Sequence, residues 1–298
     1  MKILLTGANG QVGWELRRAL LPLGEVIAAT RADVDFADPA AVGAFVEEVA
    51  ADVVVNAVAY TAVDRAEDEA DLAFSVNRDA VAAMALAARK RGALFVHYST
   101  DYVFDGTKQT PYSESDVTAP LNMYGRSKLA GEKAIEEIGG NWLVFRTSWV
   151  YASRGQNFVR TMLKLGASRE KLSVVSDQHG APTSARTIAD LTAHAVAKAI
   201  LERQSGSFES GVFHMTANGA TTWHAFAEAI FAGAKRDRSR ADLLIREVLP
   251  IPAAEYPTKA PRPAYSVLDN ARFDARFGLY RAPWQVALAL VLEELDGA

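Results

Sequence analysis

Lys2-Ile-Leu-Leu-Thr6-Gly7-Ala-Asn-Gly10-Gln-Val-Gly13 opens the chain, and Trp14-Glu-Leu-Arg-Arg-Ala-Leu-Leu follows it directly. The apolar residues before Gly7 read as a strand, the glycines as a tight turn, and the stretch from Gln11 as the start of a helix. In such a unit the first glycine allows the turn and the middle one lets a phosphate approach the backbone. The third lets the helix pack closely on the strand. The pyrophosphate of a dinucleotide then sits at the helix N-terminus. Gly7, Gly10, Gln11, Val12 and Gly13 are therefore candidate cofactor ligands. Glycine turns before helices are common, so the motif draws its weight from the strand and helix on either side.

A second motif, Tyr124-Gly-Arg-Ser-Lys128, sets a phenol and an ammonium one helical turn apart, where they share a helix face. Pro120 precedes it, where a helix often begins, and Ser99-Thr100-Asp101-Tyr102 ends the apolar run Leu94-Phe-Val-His-Tyr98. When a hydride reaches a carbonyl carbon, the oxygen gains negative charge and a proton donor must reach it. A free tyrosine, with a pKa of about 10, is a poor partner at neutral pH. A neighbouring ammonium favours the phenolate and is expected to pull that value down. Tyr124 thus reads as the proton donor and Lys128 as its partner, also able to hydrogen-bond a nicotinamide ribose. Thr100 supplies a second hydrogen bond to the substrate oxygen. The bland alternative is a buried tyrosine beside an unrelated surface lysine.

Bulk properties fit an enzyme of this kind. The 298 residues suffice for a large core, half of them are hydrophobic, and the net charge is −4. There is no basic block, so no nucleic-acid partner is expected. Cysteine is absent, which excludes disulfides and thiolate metal sites and points to a reducing, cytoplasmic setting. The N-terminal apolar run is too short for a signal peptide, and no apolar stretch reaches the roughly 18 residues of a membrane span. No membrane partner is expected.

Short apolar strands alternate with helical patterns through the first half, the rhythm of a parallel sheet. Strands are expected over 25–30, 52–56, 94–99 and 142–145, and helices over 39–50, 70–91 and 121–138. Beyond Thr147 the rhythm loosens. Helices are expected over 157–165, 186–200 and 225–234, the last with a threonine cap, and strands over 172–175 and 211–215. Five prolines between 250 and 266 mark an extended loop that links lobes or lines a substrate. The expected fold is α/β: a Rossmann-type doubly wound parallel sheet with a smaller C-terminal substrate-binding lobe. Residues 1–150 are expected to form the NAD(P)-binding domain, to which about 186–215 return, and 151–298 largely the substrate-binding lobe.

The end of the second strand addresses the adenosine ribose, where an acid favours NAD and an arginine accommodates a 2′-phosphate. Thr30-Arg31 stands there and Asp35 lies further on, which tilts the reading toward NADPH with NADH also accepted; alternatively, Arg31 is merely solvated. Asp64, Glu67, Asp68, Glu69 and Asp71 read as a solvated helix terminus rather than a metal site. The five histidines have no ligand spacing, so no metal ligands are assigned. No Gly-x-Ser-x-Gly elbow is present, which disfavours hydrolysis.

Further segments carry a family resemblance. Gly7-x-x-Gly10-Gln-Val-Gly13-Trp-Glu-Leu, Val55-Asn-Ala-x-Ala-Tyr-Thr-Ala-Val-Asp64, His97-Tyr-Ser-Thr-Asp-Tyr-Val-Phe104 and Pro120-Leu-Asn-x-Tyr-Gly-Arg-Ser-Lys-Leu-Ala-Gly-Glu132 resemble the dTDP-4-dehydrorhamnose reductases, of the extended short-chain dehydrogenase/reductase superfamily. Phe145-Arg-Thr-Ser-Trp-Val-Tyr151, Asp177-Gln-x-Gly-Ala-Pro-Thr183, Thr221-Thr-Trp-His and the Arg262-Pro263 segment extend the likeness almost end to end. The resemblance implies reduction of the 4-keto group of dTDP-4-dehydro-L-rhamnose by NADPH or NADH, the last step of dTDP-L-rhamnose synthesis. It implies Tyr124 as proton donor, Lys128 as its partner and Thr100 on the carbonyl side, with Gly10, Gln11 and Val12 on the pyrophosphate. Asp35 and Phe36 would lie near the adenine, Ala59, Tyr60 and Thr61 along the cofactor, and Tyr98 near the nicotinamide. Asp101 and Trp149 would touch the dTDP-sugar, and Arg262 is the candidate for its diphosphate, which suits a guanidinium. Some members form a homodimer bridged by Mg2+ through glutamates. Glu15 matches one such position but Arg186 stands at another, a departure that argues against the bridge and leaves Mg2+ and a homodimer open.

Two rival readings remain at this level. An epimerase or dehydratase of the same superfamily would share the tyrosine–lysine pair but recycle its own cofactor. A non-catalytic regulatory homologue would keep the fold, although Thr100, Tyr124 and Lys128 are all present here.

Overall fold

A computed structural model describes residues 1–236 and 243–296. Six strands form the main sheet: β1 (Lys2–Thr6), β2 (Glu25–Ala29), β3 (Val53–Asn56), β4 (Leu94–Thr100), β5 (Asn141–Thr147) and, after intervening elements, β10 (Gly211–His214). Their order is β10-β5-β4-β3-β1-β2 and every pairing is parallel. The β3 and β4 side chains are buried on both faces, as a parallel sheet between helical layers requires. The fold is thus a doubly wound Rossmann-type sheet, and its strand order reverses between β1 and β3, where such sheets open a ligand crevice.

Strand alternation sorts the core into two layers. Ile3, Leu5, Val53, Val55, Val96 and Phe145 face α1 (Gln11–Ala19) and the later helix α7 (Ala185–Ser205). Leu4, Val54, Phe95 and Val144 face α2 (Pro39–Val49), α4 (Ala80–Arg91) and α5 (Met123–Ile138). The single helix expected over 70–91 is interrupted. After α3 (Ala70–Phe74) a π turn, Ser75–Asp79, precedes α4. The extra residue turns Asn77 inward, where its amide bonds Tyr60 N–H and C=O and the Ser127 hydroxyl. Only a glycine on α5 accommodates this turn: a Cβ on Gly131 would lie 2.1 Å from the Asn77 carbonyl oxygen.

Beyond β5 the chain builds a second cluster from β6 (Val150–Tyr151), α6 (Phe158–Gly166), β7 (Lys171–Val175), β8 (His179–Gly180), β9 (Thr183–Ser184), β11 (Thr221–Thr222), α8 (Trp223–Arg236), β12 (Glu247–Ile251) and α10 (Trp284–Asp296), while α9 (Ala271–Phe277) packs Phe273 and Phe277 into the main-sheet core. Tyr151, Met162, Phe226, Phe231, Trp284 and Leu288 fill its core. α7 and β10 lead back to the main sheet: α7 packs on α1, and β10 pairs with β5. The Thr222 hydroxyl caps α8 by accepting from the Ala225 N–H at 3.1 Å. The proline-rich segment begins inside β12 at Pro250, which pairs beside Val174 at the edge of a two-stranded ribbon. Among the described residues, no helix is long and apolar enough to cross a membrane.

Candidate active site

The site forms where strands end. Gly7 follows β1 in the left-handed region (φ 74°), and a Cβ there would lie 2.8 Å from the Ala57 carbonyl carbon, so β1 and the loop after β3 approach as only glycine permits. A Cβ on Gly13 would fall 2.1 Å from the Gly7 carbonyl oxygen, which is why α1 can sit against the turn. Gly10 is the N-cap of α1, and no side chain caps this end. The first-turn N–H groups of Gln11, Val12 and Gly13 are thereby offered to an anionic ligand. These features fit a dinucleotide pyrophosphate. The side chain of Gln11 is tied to the second cluster instead: its Oε1 accepts from Asn157 Nδ2 at 2.9 Å, while Asn157 also caps α6.

Arg31 is exposed just past β2 and makes no hydrogen bond or ion pair among the described residues. Asp35 is exposed with its Oδ1 accepting from the Ala37 N–H, and Phe36 is buried beneath it. Ala59, Tyr60 and Thr61 continue the loop after β3. Tyr60 donates its hydroxyl to Glu69 Oε2 at 2.5 Å, so the phenol is already engaged.

Tyr98 departs from its expected surroundings. Strand alternation turns its ring to the α7 face, where the hydroxyl pairs with Thr192 at 2.8 Å and the ring packs on Phe145. What reaches the opposite face is its main-chain carbonyl, which accepts from Lys128 Nζ at 2.6 Å.

Thr100 ends β4 and donates its hydroxyl to Asp101 Oδ1 at 3.0 Å. Tyr124, one residue into α5 and half-buried, stands beside it, edge-on to Tyr102 at 5.9 Å between ring centroids. Burial pushes the Tyr124 phenol up to about 12, with the Thr100 hydroxyl working downward and the Asp101 charge upward. The expected lowering by Lys128 is absent, because that amine is turned to the Tyr98 carbonyl and to His97 Nε2, 3.1 Å away. Burial in turn brings Lys128 down to about 7. Asp101 is pushed up to about 7, chiefly by burial, and its Oδ2 has no hydrogen-bond partner. The Ser266 hydroxyl works the other way on Asp101, although it donates to the His179 carbonyl at 3.3 Å. Ser99 and Thr147, on the same strand ends, also hold buried hydroxyl oxygens without partners. Orphaned buried polar atoms are rare, and here they gather at the mouth of the sheet.

Beyond Tyr102 opens a cleft of about 830 Å³ lined by Asp64, Phe158, Arg169, Trp223, Tyr256 and Arg262, among others. Trp149 stacks on Trp223 beside it, ring centroids 3.5 Å apart. Arg262 does not point freely into this space, because its Nη2 is bound to Asp64 Oδ2.

Sequence reasoning left out several groups that brace the site. Arg146 on β5 takes both oxygens of Glu132 on α5, at 3.0 and 2.7 Å, with both side chains buried. Asn56, His97 and Asn157 are also buried polar side chains with specific partners. The available signal was a polar residue closing an otherwise apolar strand, as in Val53-Val-Val-Asn56 and Leu94-Phe-Val-His97.

A site for Mg2+ does not fit. Glu15 is buried, but its carboxylate is held by Arg186 Nε at 3.3 Å, and Arg186 also grips Glu294. Among the described residues, no group of three or more His, Cys, Asp or Glu side chains could hold a metal ion.

The profile of the RmlD substrate binding domain family matches residues 1–296. The chain belongs to the RmlD family. A Burkholderia thailandensis relative named dTDP-4-dehydrorhamnose reductase is 54% identical over 295 residues, covering 99% of both chains. The crystal structure of a dTDP-4-dehydrorhamnose reductase from Clostridium acetobutylicum superposes with a TM-score of 0.89 at 37% identity, over 99% of this chain and 100% of that one. Another from Bacillus anthracis, in complex with NADP, has a TM-score of 0.86 at 33% identity over 98% of this chain and 99% of that one. The RmlD kinship spans both the sheet and the cleft-forming cluster.

Proposed function

We propose that this chain reduces the 4-keto group of dTDP-4-dehydro-L-rhamnose to give dTDP-L-rhamnose, the closing step of that synthesis. The observation that carries the reading is the meeting of Thr100 and Tyr124 at the strand ends, with Lys128 one helical turn on, next to a cleft of nucleotide-sugar size, in a chain 54% identical to a named reductase. When bound, a reduced nicotinamide supplies the hydride. Tyr124 then gives its phenolic proton to the substrate oxygen as charge develops there, and Thr100 donates a hydrogen bond to the same atom. A phenol held near 12 is fully protonated at neutral pH, the state a reduction needs, and the forming alkoxide is basic enough to take the proton.

Gly7, Gly10 and Gly13 with the amides of Gln11 and Val12 would cradle the pyrophosphate, and Asp35, Phe36 and the Ala59–Tyr60–Thr61 loop would line the cofactor. Lys128 would reach the nicotinamide ribose, and Tyr98 would act through its carbonyl. Free Arg31 suits a 2′-phosphate, so NADPH is expected to outperform NADH. Asp101, Trp149 and Arg262 would bind the dTDP-sugar, the last through its diphosphate. We assign the cofactor to residues 1–150 with about 186–215, and the sugar nucleotide largely to the remainder. The cysteine-free chain and its substrate suit the cytoplasm, and the Glu15–Arg186–Glu294 cluster does not fit Mg2+.

NADPH and NADH oxidation, followed by absorbance with the 4-keto sugar nucleotide made in situ, tests this. Stoichiometric oxidation supports the reductase. A flat trace with both cofactors, the precursor enzymes working, would leave the epimerase or non-catalytic readings.

A further inference from the structure

A row of polar side chains crosses the otherwise apolar sheet. Thr6, Asn56 and His97 are register partners on β1, β3 and β4, and all three are fully buried. Asn56 Oδ1 accepts twice, from the Thr6 hydroxyl at 2.9 Å and from the Val58 N–H at 2.9 Å. A main-chain N–H can only donate, so the amide oxygen must face Val58 and the amide nitrogen must face His97. Asn56 Nδ2 therefore donates to His97 Nδ1, 3.0 Å away, and that ring nitrogen carries no proton. A neutral imidazole with a bare Nδ1 holds its proton on Nε2. The Nε2–H is aimed at Lys128 Nζ, 3.1 Å away. An ammonium has three donors and no lone pair, so it cannot accept this bond, whereas a neutral amine can. The amine keeps its own hydrogens for the Tyr98 carbonyl at 2.6 Å.

We propose that His97 is a positioning residue: with its proton fixed on Nε2 by Asn56, it donates to Lys128 Nζ and holds that side chain as a neutral amine. The groups around Lys128 agree with this. From β4 it faces His97 and the Tyr98 carbonyl, and along its own helix Tyr124 lies one turn before and Glu132 one turn after. The Glu132 carboxylate works against burial by favouring the ammonium, but it is shared with Arg146 of β5 and burial outweighs it. Asp101 lies beyond Tyr124 and acts on the phenol. Burial is the largest cause holding His97 well below its ordinary value, so the imidazole stays neutral beside an uncharged amine. Lys128 is thereby kept near the point where a small change, such as phenolate charge at Tyr124, converts it to the ammonium.

Asn56→Asp tests the device with almost no change of shape. The carboxylate keeps one oxygen on Thr6 and Val58, but the other can only accept from His97. The imidazole proton then moves to Nδ1, and Nε2 becomes an acceptor for an ammonium. Nitrogen-15 spectra of the full chain, with and without NADP, should show His97 protonated on Nε2 in the wild type and on Nδ1 in the variant. The Lys128 Nζ titration, and the matching limb of the kcat–pH profile, should rise by about one pH unit or more, the worth of one hydrogen bond reversed. A wild-type His97 protonated on Nδ1 overturns the proposal, as does an unmoved titration in folded Asn56→Asp. Should the variant not fold, the wild-type spectrum decides alone. The kinetic arm rests on the reductase reading but the spectra do not: absent turnover with an Nε2–H imidazole would remove that reading and leave His97's role standing.

Discussion

The guanidinium of Arg262 is closed onto the carboxylate of Asp64, Nη2 to Oδ2 at 2.8 Å, across 198 positions of sequence. Asp64 Oδ1 also accepts from the Ala260 N–H at 3.1 Å, and Arg262 Nη1 donates to the Ala260 carbonyl at 2.8 Å. The three residues make a ring that fixes the proline-rich segment against the loop after β3. Only 16% of the Arg262 side chain is exposed, so its remaining N–H groups are preset at the cleft wall.

Arg262→Ala is therefore expected to raise KM for the sugar nucleotide by about ten- to a hundredfold with little loss of kcat, the usual worth of a charged hydrogen bond to a diphosphate. Arg262→Lys should fall between, since it keeps the charge and loses the fork. Steady-state kinetics with varied sugar nucleotide checks this, and an unchanged KM in Arg262→Ala would remove the residue from substrate binding.

Tyr124→Phe should lower kcat by about 10²–10⁴, the range of general acid catalysis, and leave the Kd for NADPH near the wild-type value. The Thr100 hydroxyl acts on this phenol, and among the described residues no hydrogen bond ties the phenol to the cofactor loops. Fluorescence titration with NADPH beside a turnover assay separates the two effects. Near-native kcat at neutral pH would assign the proton to another group.

Trp149 adopts a left-handed backbone conformation (φ 47°), unusual for a bulky residue, and a Cβ on Gly180 would lie 2.3 Å from its ring. The glycine exists so that the indole can lie flat between the β8 backbone and Trp223. Gly180→Ala should push the ring off its stack and raise KM for the sugar nucleotide by up to about tenfold, the energy of one aromatic pair. Cofactor affinity should hold. Loss of NADPH binding instead would mean that the substitution disturbs the whole fold.

The parts of the molecule legible in its sequence are those set by short-range rules. Gly7 and Gly13 announce a strand-turn-helix because only glycine tolerates those approaches, and Tyr124 and Lys128 share a helix face by spacing alone. Alternation along Leu94–Thr100 already implies that Tyr98 and His97 point to opposite faces, whereas the family resemblance sets Tyr98 near the nicotinamide without distinguishing its ring from its carbonyl. The pairs Arg262–Asp64, Asn157–Gln11 and Arg146–Glu132 join distant segments and have no local signature. Tyr124's pKa was misread for the same reason: helical spacing brings an ammonium near, but tertiary contacts decide where it turns, and burial then dominates.

His214 is buried with its Nδ1 donating to the Asp269 carbonyl at 3.0 Å, and its Nε2 faces the Arg146 guanidinium at 3.5 Å, where it can only accept, so the ring is neutral. Burial, followed by the Arg146 charge, brings it down to about 3. Between that value and the ordinary 6.5 the unfolded chain binds a proton that the folded chain does not. Stability from this group is complete above the ordinary value and drains away as pH falls, at up to about 1.4 kcal/mol per pH unit. His97 acts in the same direction, and Asp101, raised to about 7, acts oppositely over part of the window. The difference between wild type and His214→Asn isolates the effect, because asparagine can keep the bond to Asp269 without titrating. Denaturant unfolding across the acid range should show a shallower pH slope in the variant, and equal slopes would remove His214 from the acid response.

Glu15 and Glu294 approach one another only through Arg186, whose guanidinium contacts both. A divalent cation would have to expel that guanidinium and then find oxygen ligands, which the described residues around it do not supply. Turnover and the unfolding midpoint should therefore be the same in excess EDTA as in millimolar MgCl2, and sedimentation should give one oligomeric state in both. Arg186→Glu changes the chemistry of the cluster: three carboxylates then face one another with only the more distant Arg18, 3.8 Å from Glu15, to offset them, and a cation would relieve the repulsion. That variant should be destabilised in EDTA and regain its midpoint on addition of Mg2+, an interaction the wild type does not show. A magnesium-dependent gain in wild-type turnover, or a variant indifferent to the ion, would mean that Arg186 is not what keeps the metal out.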